Sequence, residues 1–195
     1  MPKKLDIRED HLRILSLFTQ GYDREIYVRE VCKYLPISRG TVQLDLEYLE
    51  AKQVLHSAIK GKTRLFSLQQ GDHARDFCIL AEVYRRICFE EEKPFVAGVL
   101  NRIVPLIEGS GAVFGSHAEG TADEGADLDL FVAGKFRVEE VEKIGKTYGL
   151  EIHLTVYPPE VFDRDIHKDP FLREVLRNHV LIKGVEHFVE KAVER

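Results

Sequence analysis

The stretch "GSHAEGTADEGADLDLFV", Gly115 to Val132, places two aspartates one residue apart inside an apolar run. Aspartate is depleted in strands. Asp127 and Asp129, set among Leu128, Leu130 and Phe131, therefore occupy either a wet strand face or a place opposite something positive. Side chains alternate along a strand, so the two aspartates share one face with Cα atoms roughly 6.5 Å apart. Leu128 and Leu130 then turn to the core. Two carboxylates so placed hold one magnesium ion or bridge two at about 3.5–4 Å. Magnesium is the ion that hard oxygen ligands favour.

Just upstream, "GAVFGS" reads as a short buried strand, Ala112 to Phe114, ending at Gly115–Ser116, and "SHAEG" opens a short helix. A serine beside a glycine at a helix start offers exposed amides, a hydroxyl donor and the positive end of the helix dipole, which suits phosphate. A loop from Thr121 to Ala126 leads into the strand "DLDLFV".

These residues resemble the nucleotidyltransferase superfamily related to DNA polymerase β, especially its small, minimal prokaryotic members. The family pattern is Gly-Ser, a Gly four residues after the Ser, then Asp-x-Asp seven residues on. Gly115–Ser116, Gly120, Asp127 and Asp129 fit it without insertion. The likeness runs from about residue 95 to 190. The tail "IHLTVYPPEVF … DPFLREVLRNHVLIKGVEHF" is similar to the strand, helix and Leu-x-x-Gly turn that close the minimal members.

The resemblance implies an α/β fold with a small mixed sheet and a nucleoside triphosphate, ATP first, held by Gly115, Ser116 and Gly120. It implies Mg²⁺ on Asp127 and Asp129, and a third carboxylate on a later strand that helps activate the attacking hydroxyl. This chain departs from the pattern in four places. Ala126 stands where a Ser is usual, and His117 and Glu119 stand where basic residues are frequent. His153 aligns with the third carboxylate, while Glu151, two residues earlier on the same strand face, is a substitute for it. A histidine accepts a proton from a hydroxyl but is a poor magnesium ligand. Tyr157, on the Glu151 face, is either a base-stacking ring or a packed one, and Lys183 beside Gly184 reads as a turn lysine.

The front of the chain has another character. Apolar residues at helical spacing predict helices over residues 5–20, 27–35 and 38–53, with Gly21 and Pro36 as stops and Ser38 as an N-cap. "VLHSAIKGKTRLFSL" predicts strand, Gly61–Lys62 turn, strand. Residues 27–55, through "ISRGTV" and "LEYLEAKQVL", resemble the winged helix-turn-helix of prokaryotic transcription regulators. That resemblance implies double-stranded DNA as a partner. Ser38, Arg39, Thr41 and Gln43 would face the major groove, and Lys60, Lys62 and Arg64 the phosphates. Asp45 and Glu47 oppose this if they turn outward, and a winged helix used for protein contact or dimerisation is the alternative.

Of 195 residues, 44% are apolar and 31% charged, as in a soluble globular protein. No apolar run is long enough for a membrane span. The start "MPKKLDIRED" has no signal core, so a cytoplasmic protein is expected. Cys32, Cys78 and Cys88 are odd in number and unpaired in spacing, which argues against disulfides. The net charge of −5 is uneven: the first 70 residues carry 12 Lys and Arg against 9 Asp and Glu, the rest 16 against 24.

The expectation is a multi-domain α+β protein. Residues 1–70 form a winged helix-turn-helix, 71–93 a linking helix, and 94–195 the nucleotidyltransferase-like part, whose first helix is interrupted near Pro105. A homodimer is the default. The acidic rear part favours a protein or a small molecule over nucleic acid as acceptor of the transferred nucleotide. A DNA-binding regulator with a nucleotide-sensing or inactive rear part is the second reading, and a dimeric scaffold the third.

Overall fold

Leu15, Phe18, Val31, Val42, Leu46 and Leu49 recur at helical spacing, and all are buried together in the front part of the chain. The computed structural model describes residues 6–194. The expected start of the first helix, Leu5, lies outside them. Two compact units divide between Ala81 and Glu82.

In the first unit, α1 (Glu9–Phe18), α2 (Val28–Tyr34) and α3 (Arg39–Ala51) precede an antiparallel hairpin of β1 (Leu55–Lys60) and β2 (Thr63–Leu68). Ser38 caps α3 by accepting from the Thr41 amide at 3.2 Å. Asp45 turns inward: it is fully buried, ion-paired with Arg8 and 3.2 Å from His11 Nε2. His11 stacks on Tyr48, ring centroids 4.4 Å apart. Burial pushes the His11 imidazole below its ordinary value, against the upward pull of Asp45.

The helix α4 (Asp72–Glu92) crosses the division between the units. α5 (Pro94–Ile103) follows, starting with a proline at its first turn, where no amide partner is lost. The helix expected to resume after Pro105 does not. A single 3₁₀ turn, Val104–Leu106, passes straight into β3 (Ile107–Phe114). Pro105 lacks a donor and Gly109 and Gly111 weaken a helix, whereas every residue from Ile107 to Phe114 finds a partner on β4 (Leu128–Phe136).

Beyond β3 come α6 (Gly115–Glu119), β4, α7 (Val138–Tyr148), β5 (Ile152–Tyr157), α8 (Pro159–Asp165), α9 (Pro170–Arg177), β6 (His179–Lys183) and α10 (Val185–Val193). The sheet order is β5-β4-β3-β6, with β3 antiparallel to both neighbours and β4 parallel to β5. This is the small mixed sheet expected. One face presents Val113, Leu128, Leu130, Val132 and Val180 to α5 and α7. The other carries Phe131, which meets Phe162, Phe171 and Tyr157. Each such ring, once buried, contributes about 1.5–3 kcal/mol. Both faces are thus anchored, and the strand ends are free to carry polar groups.

Two polar clusters in this unit are structural. Fully buried Glu82 accepts from Arg85 Nη1 at 3.1 Å and lies 3.3 Å from His179 Nε2, while Arg85 also donates to the His179 carbonyl. Ser110, His187 and Asp163 form a chain, with Ser110 Oγ 3.2 Å from His187 Nδ1 and His187 Nε2 3.1 Å from Asp163. Ser110 is fully buried and its hydroxyl donates to the Gly184 carbonyl, so the chain fastens a turn and presents no nucleophile. Lys183 Nζ caps the carbonyls of Val104 and Ile107 at 3.1 and 2.6 Å, more than a turn residue's work. The three cysteines are free. Among the described residues, no helix is long and apolar enough to cross a membrane.

Candidate functional site

Pairing across the sheet brings three strand ends to one edge. Phe114, last of β3, pairs with Asp129, and Asp129 pairs on its other side with His153. Asp127 stands two residues ahead on the same face, just before β4 begins. The imidazole of His153 sits among the acidic groups. Its Nδ1 is 3.5 Å from Asp129 Oδ1, and its Nε2 is 3.8 Å from Asp127 Oδ2 and 3.3 Å from Glu151 Oε1. The cluster is open to solvent: the Asp129 side chain is 28% exposed, Asp127 44%, His153 55% and Glu151 72%. The hydrogen bond to Glu151 raises the His153 pKa above its ordinary value, with Asp127 and Asp129 adding to it and slight burial opposing.

Gly115 joins this edge to the start of α6. Its φ is +64°, a region that costs a side-chain-bearing residue. A Cβ there would come within 2.5 Å of Asp129 Oδ2. The glycine thus allows the carboxylate to lie against the turn that begins α6. Gly120, with φ +74°, ends this helix in the left-handed conformation. The Ser116 carbonyl accepts from the amides of Gly120, Thr121 and Ala122, which ties the following loop back to the helix. His117, buried, donates from Nε2 to the Ala126 carbonyl at 3.2 Å and holds the far end of that loop. Glu119 is exposed and accepts from Asn178 at 3.0 Å.

Asp127, Asp129 and Glu151 are hard oxygen donors and suit a divalent cation. His153 adds a nitrogen donor, and Asp127, Glu151 and His153 offer atoms all within 4.8 Å of one another. Tyr157 lies on the same face four residues beyond His153, with its ring stacked on Phe171 at 5.8 Å. Burial raises its pKa, helped by a hydrogen bond with Asp169. It is a packed ring.

In the first unit the expected DNA-facing residues divide. Arg39, Gln43, Lys62 and Arg64 line one cleft of about 380 Å³, joined by Arg29, which the sequence reading missed. A cation at the start of α2 was the signal available. Ser38 and Thr41 are hydrogen-bonded to each other at 2.9 Å. Gln43 donates to Glu47 at 2.7 Å. Lys60 is paired with Glu25 at 2.5 Å, and Arg64 is held by Glu47, Glu50 and Ser57 and lies over the Phe66 ring.

Residues 97–183 match the family model of the nucleotidyltransferase domain. The match spans β3, α6, β4 and β5 and so includes every residue of the strand-edge cluster. No curated protein and no solved structure matches the chain.

Proposed function

We propose, from a nucleotidyltransferase domain over residues 97–183, that the chain transfers a nucleotide, AMP first, from a triphosphate to a hydroxyl of a protein or small molecule. The observation that carries this is the juxtaposition of Gly115, Asp129 and His153 at one sheet edge, with Asp127 and Glu151 beside them. Gly115 and Ser116 open the α6 turn and cradle the phosphates with backbone N–H groups, while Gly120, whose amide is given to the Ser116 carbonyl, closes the turn. Asp127 and Asp129 hold the magnesium that accompanies the triphosphate, and that ion supplies charge neutralisation at the phosphate oxygens. The acceptor oxygen forms a bond to the α-phosphorus as the bond to the β-phosphate oxygen breaks and pyrophosphate leaves. The hydroxyl proton passes to Glu151, just before β5, or to His153 on it, which stand in place of a third carboxylate.

The test is incubation of the full chain with ATP, Mg²⁺ and candidate acceptors. The expected result is pyrophosphate release that Asp127→Asn abolishes while circular dichroism stays unchanged. Pyrophosphate release that survives Asp127→Asn, or none with any acceptor tried, counts against transfer.

For the first unit we propose a winged helix-turn-helix that binds double-stranded DNA. The cleft lined by Arg29, Arg39 and Lys62 supports it, as does the inward turn of Asp45; Arg64 beside them is already paired with Glu47 and Glu50. Binding should weaken steeply with salt, and Arg39→Ala should reduce the salt slope by about one. His153 in place of a carboxylate favours the second reading, a DNA-binding regulator that senses a nucleotide without transferring it. Salt-sensitive DNA binding with no turnover would select that reading.

A further inference from the structure

Asp127 stands outside β4, at the end of a loop with little of its own to hold it. Thr121, Asp123, Glu124 and Gly125 are exposed, and Gly125 has φ +85° with nothing within 4 Å of a hypothetical Cβ. Two contacts fix the backbone on either side of Asp127. After it, the Leu128 amide donates to the Glu151 carbonyl at 2.8 Å, where β4 meets the start of β5. Before it, the Ala126 carbonyl accepts from His117 Nε2 at 3.2 Å. The first contact continues the sheet pairing. The second is a single side chain that reaches from α6 to a residue nine positions on. Ala126 has no polar side chain with which to tie the loop end itself.

His117 is poorly chosen for stability. It is only 7% exposed. An imidazole that donates from Nε2 keeps Nδ1 as an acceptor. That Nδ1 is buried and has no hydrogen-bond partner among the described residues. An unpaired buried acceptor costs as much as one hydrogen bond returns, or more. Ala126 is only partly buried, so water replaces the imidazole at its carbonyl when the ring is removed. An apolar side chain of similar volume would therefore fill the place of His117 without loss. Breaches of a local rule with no compensating gain in stability gather at functional sites.

We infer that His117 is a positioning residue for Asp127: its Nε2–H pins the Ala126 carbonyl, and with it the place of the Asp127 carboxylate at the strand edge, at a net cost to stability. The effect on turnover rests on the transferase reading of this edge, whereas the pin and its cost are properties of the free protein, so the experiment separates the two.

Full-length His117→Leu and His117→Gln are compared with wild type in three measurements: urea denaturation, amide hydrogen exchange without nucleotide, and pyrophosphate release from ATP with Mg²⁺. His117→Leu should have an unchanged or higher urea midpoint. Its amides over residues 123–128 should exchange at least about tenfold faster, with β3 and β6 as in wild type. Its turnover should fall by about 10²-fold, the consequence of a misplacement near 1 Å. In His117→Gln the side-chain amide donates from the place of Nε2, so slow loop exchange and most of the turnover should return. A lowered urea midpoint in His117→Leu makes the histidine an ordinary structural contact and overturns the inference. Loop exchange that stays slow in His117→Leu, or turnover that falls there and is not restored by His117→Gln, overturns it as well. A wild-type chain that releases no pyrophosphate counts against the transferase reading alone, and the urea midpoint and loop exchange then decide the role of His117.

Discussion

Replacing Gly115 with alanine tests the site and the fold together. Two costs arise, and a second variant separates them. The backbone at Gly115 has φ +64°, and holding an L-residue there costs about 1–2 kcal/mol. The added Cβ also lands 2.5 Å from Asp129 Oδ2, so that carboxylate must retreat by something on the order of 0.5–1 Å. Gly120 has φ +74° with nothing within 4 Å of its hypothetical Cβ. Gly120→Ala therefore carries the backbone cost without the collision. Gly120→Ala should lose about 1–2 kcal/mol in urea denaturation and Gly115→Ala at least as much, lowering the melting temperature by roughly 2–8 °C per kcal/mol for a unit of this size. Only Gly115→Ala should lose catalysis, by about 10²-fold, the usual consequence of a misplacement near 1 Å at a reacting centre. Equal transfer rates in the two variants would refute the reasoning, because the Asp129 position would then not matter. Unchanged stability in both would refute the left-handed turns.

Glu82→Ala should destabilise the second unit by about 3–5 kcal/mol in urea denaturation, because it strands Arg85 and the fully buried His179 without their carboxylate. In metal-free protein, the NMR titration of His153 should give a pKa above 6.5, and Glu151→Gln should lower it more than Asp127→Asn does. The sign is that of a raised histidine: these contacts favour the fold fully below the unfolded-state pKa and lose effect as pH rises through the folded-state value.

That Asp127 and Asp129 share one face was legible because strand alternation has period two, whatever the rest of the fold does. His153 was visible as an anomaly, but its position between three carboxylates depends on the parallel register that sets it beside Asp129. No local pattern encodes that register. The front half of β3 was hidden for a related reason: "IEGSG" has two glycines in five residues and becomes a strand only by pairing with β4. Asp45 shows the same limit on a helix. Its sequence neighbours leave its direction open, and Arg8 and His11 draw it inward from α1 and the segment before it. Arg64 reads as a phosphate ligand by type, yet Glu47 and Glu50 reach it through the packing of α3 on the hairpin.

Calorimetric titration of a non-hydrolysable ATP analogue into the full chain, with and without Mg²⁺, addresses the strand-edge site most directly. Saturable binding that requires Mg²⁺ and weakens at least about tenfold in Asp129→Asn, a change of about 1.4 kcal/mol, is the predicted result. Binding of equal strength in Asp129→Asn and wild type, or none at saturating analogue, would contradict a nucleotide site built on Gly115, Asp127 and Asp129.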